Sequence, residues 1–439
     1  MAPLDRHGSD LRPVRRRRRS RMASAPAFQP GALVSDAAGS ERRTGGVCQR
    51  VPGRGARPWR PSPPDRWIRA MSVYPADLPS LTRLRFFAAL WVVFYHWRVP
   101  WTVDIDSATA FFAMGRFGVD LFFILSGFVL AHVYVAAREQ GKFDFAKFII
   151  ARFARIYPLH LATIVLLALA AFGAWIVGVP FEREEFPIAD LPANLLMVHA
   201  WGFAPNPGWN APSWSISAEW FAYLAFPAYL MIAIALARRP LALVTIAIVA
   251  FLVLDLVHRS LFGESLPMAT ERFGVLRIIP EFLLGIAIYR LGNRYPLGRI
   301  TAGVVFGASL VIYLLAAHLA WDDRIIALLG APIVLSLAEL DRHAAGTSRQ
   351  DPIRYLGEIS YAIYMLHVPF FMIAFNLLQD VLGVIDETIS TMSLLALLAA
   401  MLAASSLTYE WLEKPSRRTI RRWGNALLVA RRGNSKMTR

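Results

Sequence analysis

A chain of 439 residues that is 56% hydrophobic and only 18% charged, with mean hydropathy +0.42, departs from soluble domains, in which about a quarter of residues are charged. Its single cysteine, Cys48, excludes an intrachain disulfide and a thiolate metal cluster. The net charge of +16 is unevenly placed: residues 1–70 hold 16 Arg against five acids, a local excess of +11, so the basic balance describes a tail beside a membrane, and no nucleic-acid partner is expected.

Residues 1–70 are rich in Arg, Pro, Gly and Ser, have no apolar periodicity and are predicted to be disordered. A fresh start is visible at Met71, where MSVYPADLPSLTRLR leads into the first apolar run, and translation is expected to begin there. From 71 to 412 apolar segments alternate with short polar loops. Spans are predicted near 82–98, 117–136, 159–179, 214–236, 241–258, 273–291, 300–320, 324–340, 358–379 and 392–411. The fold class is therefore all-α, a polytopic bundle of about ten transmembrane helices, followed by a basic C-terminal tail over 413–439. Residues 142–157 (KFDFAKFIIARFARIY) alternate basic and apolar positions at helical spacing, which predicts an amphipathic helix on the membrane surface.

The loops alternate in sign. The 138–155, 238–239, 290–299 and 342–354 segments and both tails are basic. Residues 181–190 (FEREEFPIAD), the WDDR turn at 321–324 and the 380–387 segment with Asp380, Asp386 and Glu387 are acidic. The positive-inside rule then places both termini in the cytoplasm of a multi-pass protein, with membrane lipids as surroundings.

Ionisable side chains inside spans are costly, so they mark candidate sites. In the first span Arg85 and His96 lie eleven residues apart. Eleven steps of about 100° return to within about 20° of the same face, over a rise of roughly 16 Å. Arg85 is expected near the inner surface and His96 at mid-depth, a separation matching an extended pantetheine arm. Asp120 in the second span is placed to orient the His96 imidazole, and Ser126-Gly127 to let helices approach. Glu219, with Trp214 and Trp220 beside it, suits a sugar acceptor. Arg277 and Glu281 stand at i,i+4 as a self-neutralising pair, and His367 is a second histidine near mid-depth, structural or catalytic. No two histidines stand at ligand spacing on one helix, so no metal is expected.

Together these segments resemble the acyltransferase-3 family of membrane O-acyltransferases. Arg85 and His96 within LRFFAALWVVFYHW match its Arg-x10-His signature. GVDLFFILSGFVL, FIIARFARIYPLH, SWSISAEWFAYLAFP, PEFLLGI and LGEISYAIYMLHVPF follow in the family's order, and YEWLEKP closes the set, covering about 80–439. Many relatives carry Asp-Gly just before the first-span arginine, where this chain has Thr82-Arg83. The resemblance implies a bacterial inner-membrane enzyme that transfers an acyl group, by family frequency acetyl, from acyl-CoA to a hydroxyl of a sugar or glycan such as exopolysaccharide or lipopolysaccharide. Acyl-CoA is then the donor substrate, a glycan or lipid-linked sugar the acceptor, and no cofactor is bound. The expected roles are His96 as general base with Asp120 as its partner, Arg85 with Arg152 and Arg155 on the donor, and Glu219, Trp214 and Ser126 on the acceptor, with His367 and Glu281 as further candidates. The competing class is a glycan or lipid transporter or flippase without acyl-transfer chemistry.

Overall fold

The computed structural model describes residues 74–178, 186–204, 209–344, 351–383 and 387–437. The predicted tail 1–70, Cys48, the acidic segment up to 185, residues 345–350 of the 342–354 loop and Asp386 lie outside them. The described chain is helical: α1 (Pro79–Trp97), α2 (Gly118–Glu139), α3 (Phe145–Val177), α4 (Trp214–Leu224), α5 (Phe226–Ala235), α6 (Pro240–Phe262), α7 (Gly274–Arg294), α8 (Arg299–His318), α9 (Asp323–His343), α10 (Pro352–Glu358), α11 (Ser360–Asn376), α12 (Thr391–Thr408) and α13 (Lys414–Met437). Side-chain oxygens set several starts. Asp144 accepts from the Lys147 N–H at 3.1 Å, Asp351 from the Arg354 N–H at 2.9 Å and Ser390 from the Ser393 N–H at 3.1 Å, each satisfying a backbone donor that the helix leaves open.

Every predicted span falls on a helix, but the count of ten spans is not reached. Six helices are long and apolar enough to cross a membrane, or seven if the bent pair α4–α5 is one span. α1, α7 and α9 fall short because they carry charge: Arg83 and Arg85, Arg277 and Glu281, Glu339 and Asp341. Two expectations are corrected and the conformation of the C-terminal segment is assigned. The surface helix 142–157 and the third span are one continuous 33-residue helix, α3, which runs straight through Pro158. The fourth span is broken by a bend of 56° at Ala225, where Pro227 has no N–H to continue the ladder. The basic C-terminal segment is helical: α12 passes through a single π turn, Tyr409–Glu413, into α13.

Polar contacts fasten both ends of the bundle. At one end Asp341 accepts from the Ser80 hydroxyl at 2.6 Å, Arg83 pairs with Asp351 at 2.6 Å and Arg290 with Glu139 at 2.7 Å. At the other, Arg116 pairs with Asp323 at 2.8 Å and the Ser265 hydroxyl donates to the same carboxylate at 2.8 Å. The middle is held by close backbone approach of α2 and α7. A Cβ at Gly127 would sit 2.1 Å from the Phe282 carbonyl oxygen, and one at Gly285 2.0 Å from that of Ile124, so only glycine fits either place. Outward faces stay apolar: Leu256 on α6 and Ile300 and Val304 on α8 are exposed, as lipid contact requires.

Candidate active site

Two cavities sit inside the bundle and share a wall. The first, a partly open cavity with about 830 Å³ of space free of protein atoms including its open mouth, is lined by Arg85 of α1, Ser126 of α2, Arg152 and Arg155 of α3, Glu219 and Tyr223 of α4 and Tyr361 of α11. The second, about 690 Å³, is lined by His96, Tyr95, Arg116, Trp214, Thr270, Glu271 and Arg277. Val119 and Tyr364 line both.

Arg85 forms no hydrogen bond or ion pair among the described residues, so its fork of donors faces the first cavity unused. Arg155 pairs with the buried carboxylate of Glu413 and lies over the Tyr361 ring, 5.1 Å from its centroid. Arg152 sits 5.9 Å from the Tyr223 centroid with a buried Nε that has no partner. Ser126 donates to Glu219 at 2.8 Å. Three cations against one or two carboxylates make this cavity a receiver of anions.

The second cavity holds the base. His96 is exposed toward it, at the penultimate position of α1. Its Nδ1 lies 3.0 Å from the Val92 carbonyl oxygen, which can only accept, so Nδ1 carries the proton. His367 Nδ1 lies 2.5 Å from the Tyr364 carbonyl oxygen and is protonated for the same reason. His367 Nε2, 3.1 Å from His96 Nδ1, therefore accepts from it. With Nδ1 as the donor, His96 Nε2 is the ring nitrogen left without a hydrogen-bond partner among the described residues, the position a general base would use.

The structure redistributes several expected residues. Asp120 does not orient His96: both its oxygens go to Arg277, with Nε to Oδ1 at 3.1 Å and Nη2 to Oδ2, and the pair is 1% exposed on each side. A guanidinium is the stronger competitor for a buried carboxylate, and His367 orients the imidazole instead. Arg277 and Glu281 are not a self-sufficient pair, since they lie 4.0 Å apart and both Glu281 oxygens lack a hydrogen-bond donor. His96 lies at the penultimate position of α1, which begins at Pro79 and ends at Trp97. Glu219 and Ser126, expected with the acceptor, line the arginine cavity. Trp214 is in the His96 cavity, with the Arg277 guanidinium 5.3 Å from its ring. Tyr361, Tyr364 and His367 went unremarked as a set, although their i, i+3, i+6 spacing places one polar stripe on α11. Arg116, Glu271 and Glu413 were unmarked. Among the described residues no group of three or more His, Cys, Asp or Glu is placed to hold a metal ion.

Comparison with known proteins completes the description. Residues 78–410 match a family model described as an acyltransferase domain, Acyl_transf_3. The chain is 30% identical over 369 residues to the acyltransferase MdmB of Streptomyces mycarofaciens, covering 79% of this chain and 93% of that protein. It is 23% identical over 378 residues to the peptidoglycan O-acetyltransferase OatA of Listeria monocytogenes, covering 78% of this chain but 56% of that longer protein. A putative peptidoglycan O-acetyltransferase of Bacillus subtilis, YrhL, is 22% identical over 371 residues, 77% of this chain and 55% of the relative. No solved structure matches the chain.

Proposed function

The chain belongs to the Acyl_transf_3 family and is a membrane acyltransferase, and from that premise we propose that it moves an acetyl group from acetyl-CoA to a hydroxyl of a sugar or glycan. The donor enters at the basic end, past Arg85, Arg152 and Arg155, which suit a phosphorylated thioester because planar guanidinium forks bind phosphate oxygens in pairs. The acceptor enters from the opposite end, beside Glu271, Thr270 and Trp214. The thioester meets it at the wall the two cavities share, at Tyr364 and Val119. His96 Nε2 takes the hydroxyl proton as the oxygen attacks the thioester carbon. The C–S bond breaks, and the departing thiolate receives that proton from the imidazolium. A C–O bond replaces a C–S bond and no covalent acyl-enzyme is required. His367 acts through His96 as a positioning residue, fixing its tautomer. By the positive-inside rule the basic end faces the cytoplasm of a bacterial inner membrane, where acyl-CoA is found.

The observation that carries this reading is the exposure of His96 in one cavity, with its Nδ1 held by the Val92 carbonyl and His367, while an arginine-lined cavity abuts it across Tyr364. It is tested with purified protein in proteoliposomes given acetyl-CoA and a glycan acceptor. Acceptor-dependent release of free CoA thiol supports it. Movement of the glycan across the bilayer with no CoA release would point instead to a transporter.

A further inference from the structure

α13 extends the binding surface beyond the two cavities. Lys414, Arg417, Arg418, Arg421 and Arg422 stand at i, i+3, i+4, i+7 and i+8, so they form one helical stripe, and they line a single concavity of about 730 Å³. Residues 414–437 contain no acid. Lys414 is compensated by Glu410 at 2.6 Å and Arg417 lies 3.5 Å from Glu413, whereas Arg418, Arg421 and Arg422 have no acidic partner among the described residues. Like charges at i,i+4 repel and weaken a helix, so this stripe is arranged for an external anion.

The stripe joins the first cavity. Glu413 Oε1 takes both Arg155, which lines that cavity, and Arg417, which lines the concavity. α13 is held against α3 closely enough that a Cβ on Gly424 would lie 2.6 Å from Ile150 Cγ2. The cavity is lined by Arg85, Arg152 and Arg155 with Glu219, and Arg155 is paired with Glu413, which leaves an excess of only one positive charge. The nucleotide end of coenzyme A carries about four negative charges, roughly two for its phosphate monoester and two for its pyrophosphate. The cavity alone does not balance them, and the stripe does.

We propose that the α13 stripe, through Arg418, Arg421 and Arg422, is the docking site for the phosphorylated nucleotide of the acyl-CoA donor, leaving the uncharged pantetheine arm to enter the arginine cavity. This rests on the acyl-CoA reading above. The shared chemistry is a clustered phosphate, which an anionic lipid headgroup also offers, so the test separates the two sources. The full chain is placed in nanodiscs of neutral phosphatidylcholine, and binding of adenosine 3′,5′-bisphosphate and acetyl-CoA turnover are measured for wild type and for the triple variant Arg418→Gln/Arg421→Gln/Arg422→Gln. Arg299→Gln, an exposed cation outside the stripe, serves as control. The triple variant is expected to bind the bisphosphate about tenfold more weakly or worse and to raise the KM for acetyl-CoA by a similar factor with kcat retained. The control is expected to match wild type. Unchanged bisphosphate affinity in the triple variant overturns the proposal. So does an effect that appears only when phosphatidylglycerol is added, which assigns the stripe to lipid headgroups. A wild type that never consumes acetyl-CoA defeats the underlying reading, whereas an active wild type with an unaffected triple variant defeats only this inference.

Discussion

Replacing Arg277 with Met removes the cation at the centre of the bundle. Arg277 and Asp120 are each 1% exposed, and Glu281, also buried, offers two oxygens with no hydrogen-bond donor. Loss of Arg277 leaves the buried carboxyl groups of Asp120 and Glu281 without the cation between them. Removing one partner of a buried pair costs about 3–5 kcal/mol, a large part of the ~5–15 kcal/mol that holds an ordinary domain together. Arg277→Met is therefore expected to melt well below wild type when purified protein is heated in detergent and followed by intrinsic fluorescence. The triple replacement Asp120→Leu/Arg277→Met/Glu281→Leu removes the uncompensated charge as well and is expected to regain most of the loss. A single Arg277→Met variant that melts with wild type would refute the assignment of Asp120 to Arg277. A triple variant as unstable as the single one would refute the electrostatic reasoning.

Gly285→Val drives a side chain into the Ile124 carbonyl, which belongs to a helix and cannot move aside. It is expected to cost at least ~3 kcal/mol and to cut the yield of folded protein in size-exclusion profiles. His367→Phe removes the acceptor of the His96 Nδ1 proton and is expected to lower kcat about tenfold, with the KM for acetyl-CoA little changed. Arg85→Lys keeps the charge but loses the planar fork, and is expected to lower kcat/KM for acetyl-CoA about tenfold or more in steady-state assays.

The helical class was legible because apolar run length and turn residues act locally. Gly127 in the second span was legible as a point of close helix approach because a small residue there permits it. What could not be read was partnership. Asp120 meets Arg277 across 157 residues of sequence and His96 meets His367 across 271, and nothing local to either residue names the other. Glu219 looked like an acceptor ligand because a carboxylate among tryptophans suits a sugar. In the folded chain it accepts from Ser126 and lines the arginine cavity. The basic and apolar alternation of 142–157 suggested a helix separate from the span after it, yet the chain continues through Pro158 as one helix. The C-terminal stripe was visible as basic residues, but its continuity with Arg155 runs through Glu413, a contact that only the folded chain brings about.

The most direct test is ester formation by the His96→Ala protein. Purified wild-type and variant chains of equal melting temperature are given acetyl-CoA and a glycan, and ester product and free CoA thiol are counted together. Loss of the base is expected to slow both by about a hundredfold or more, in step with one another. Product formed by the alanine variant at the wild-type rate would contradict the account, since no other described nitrogen base is exposed in that cavity.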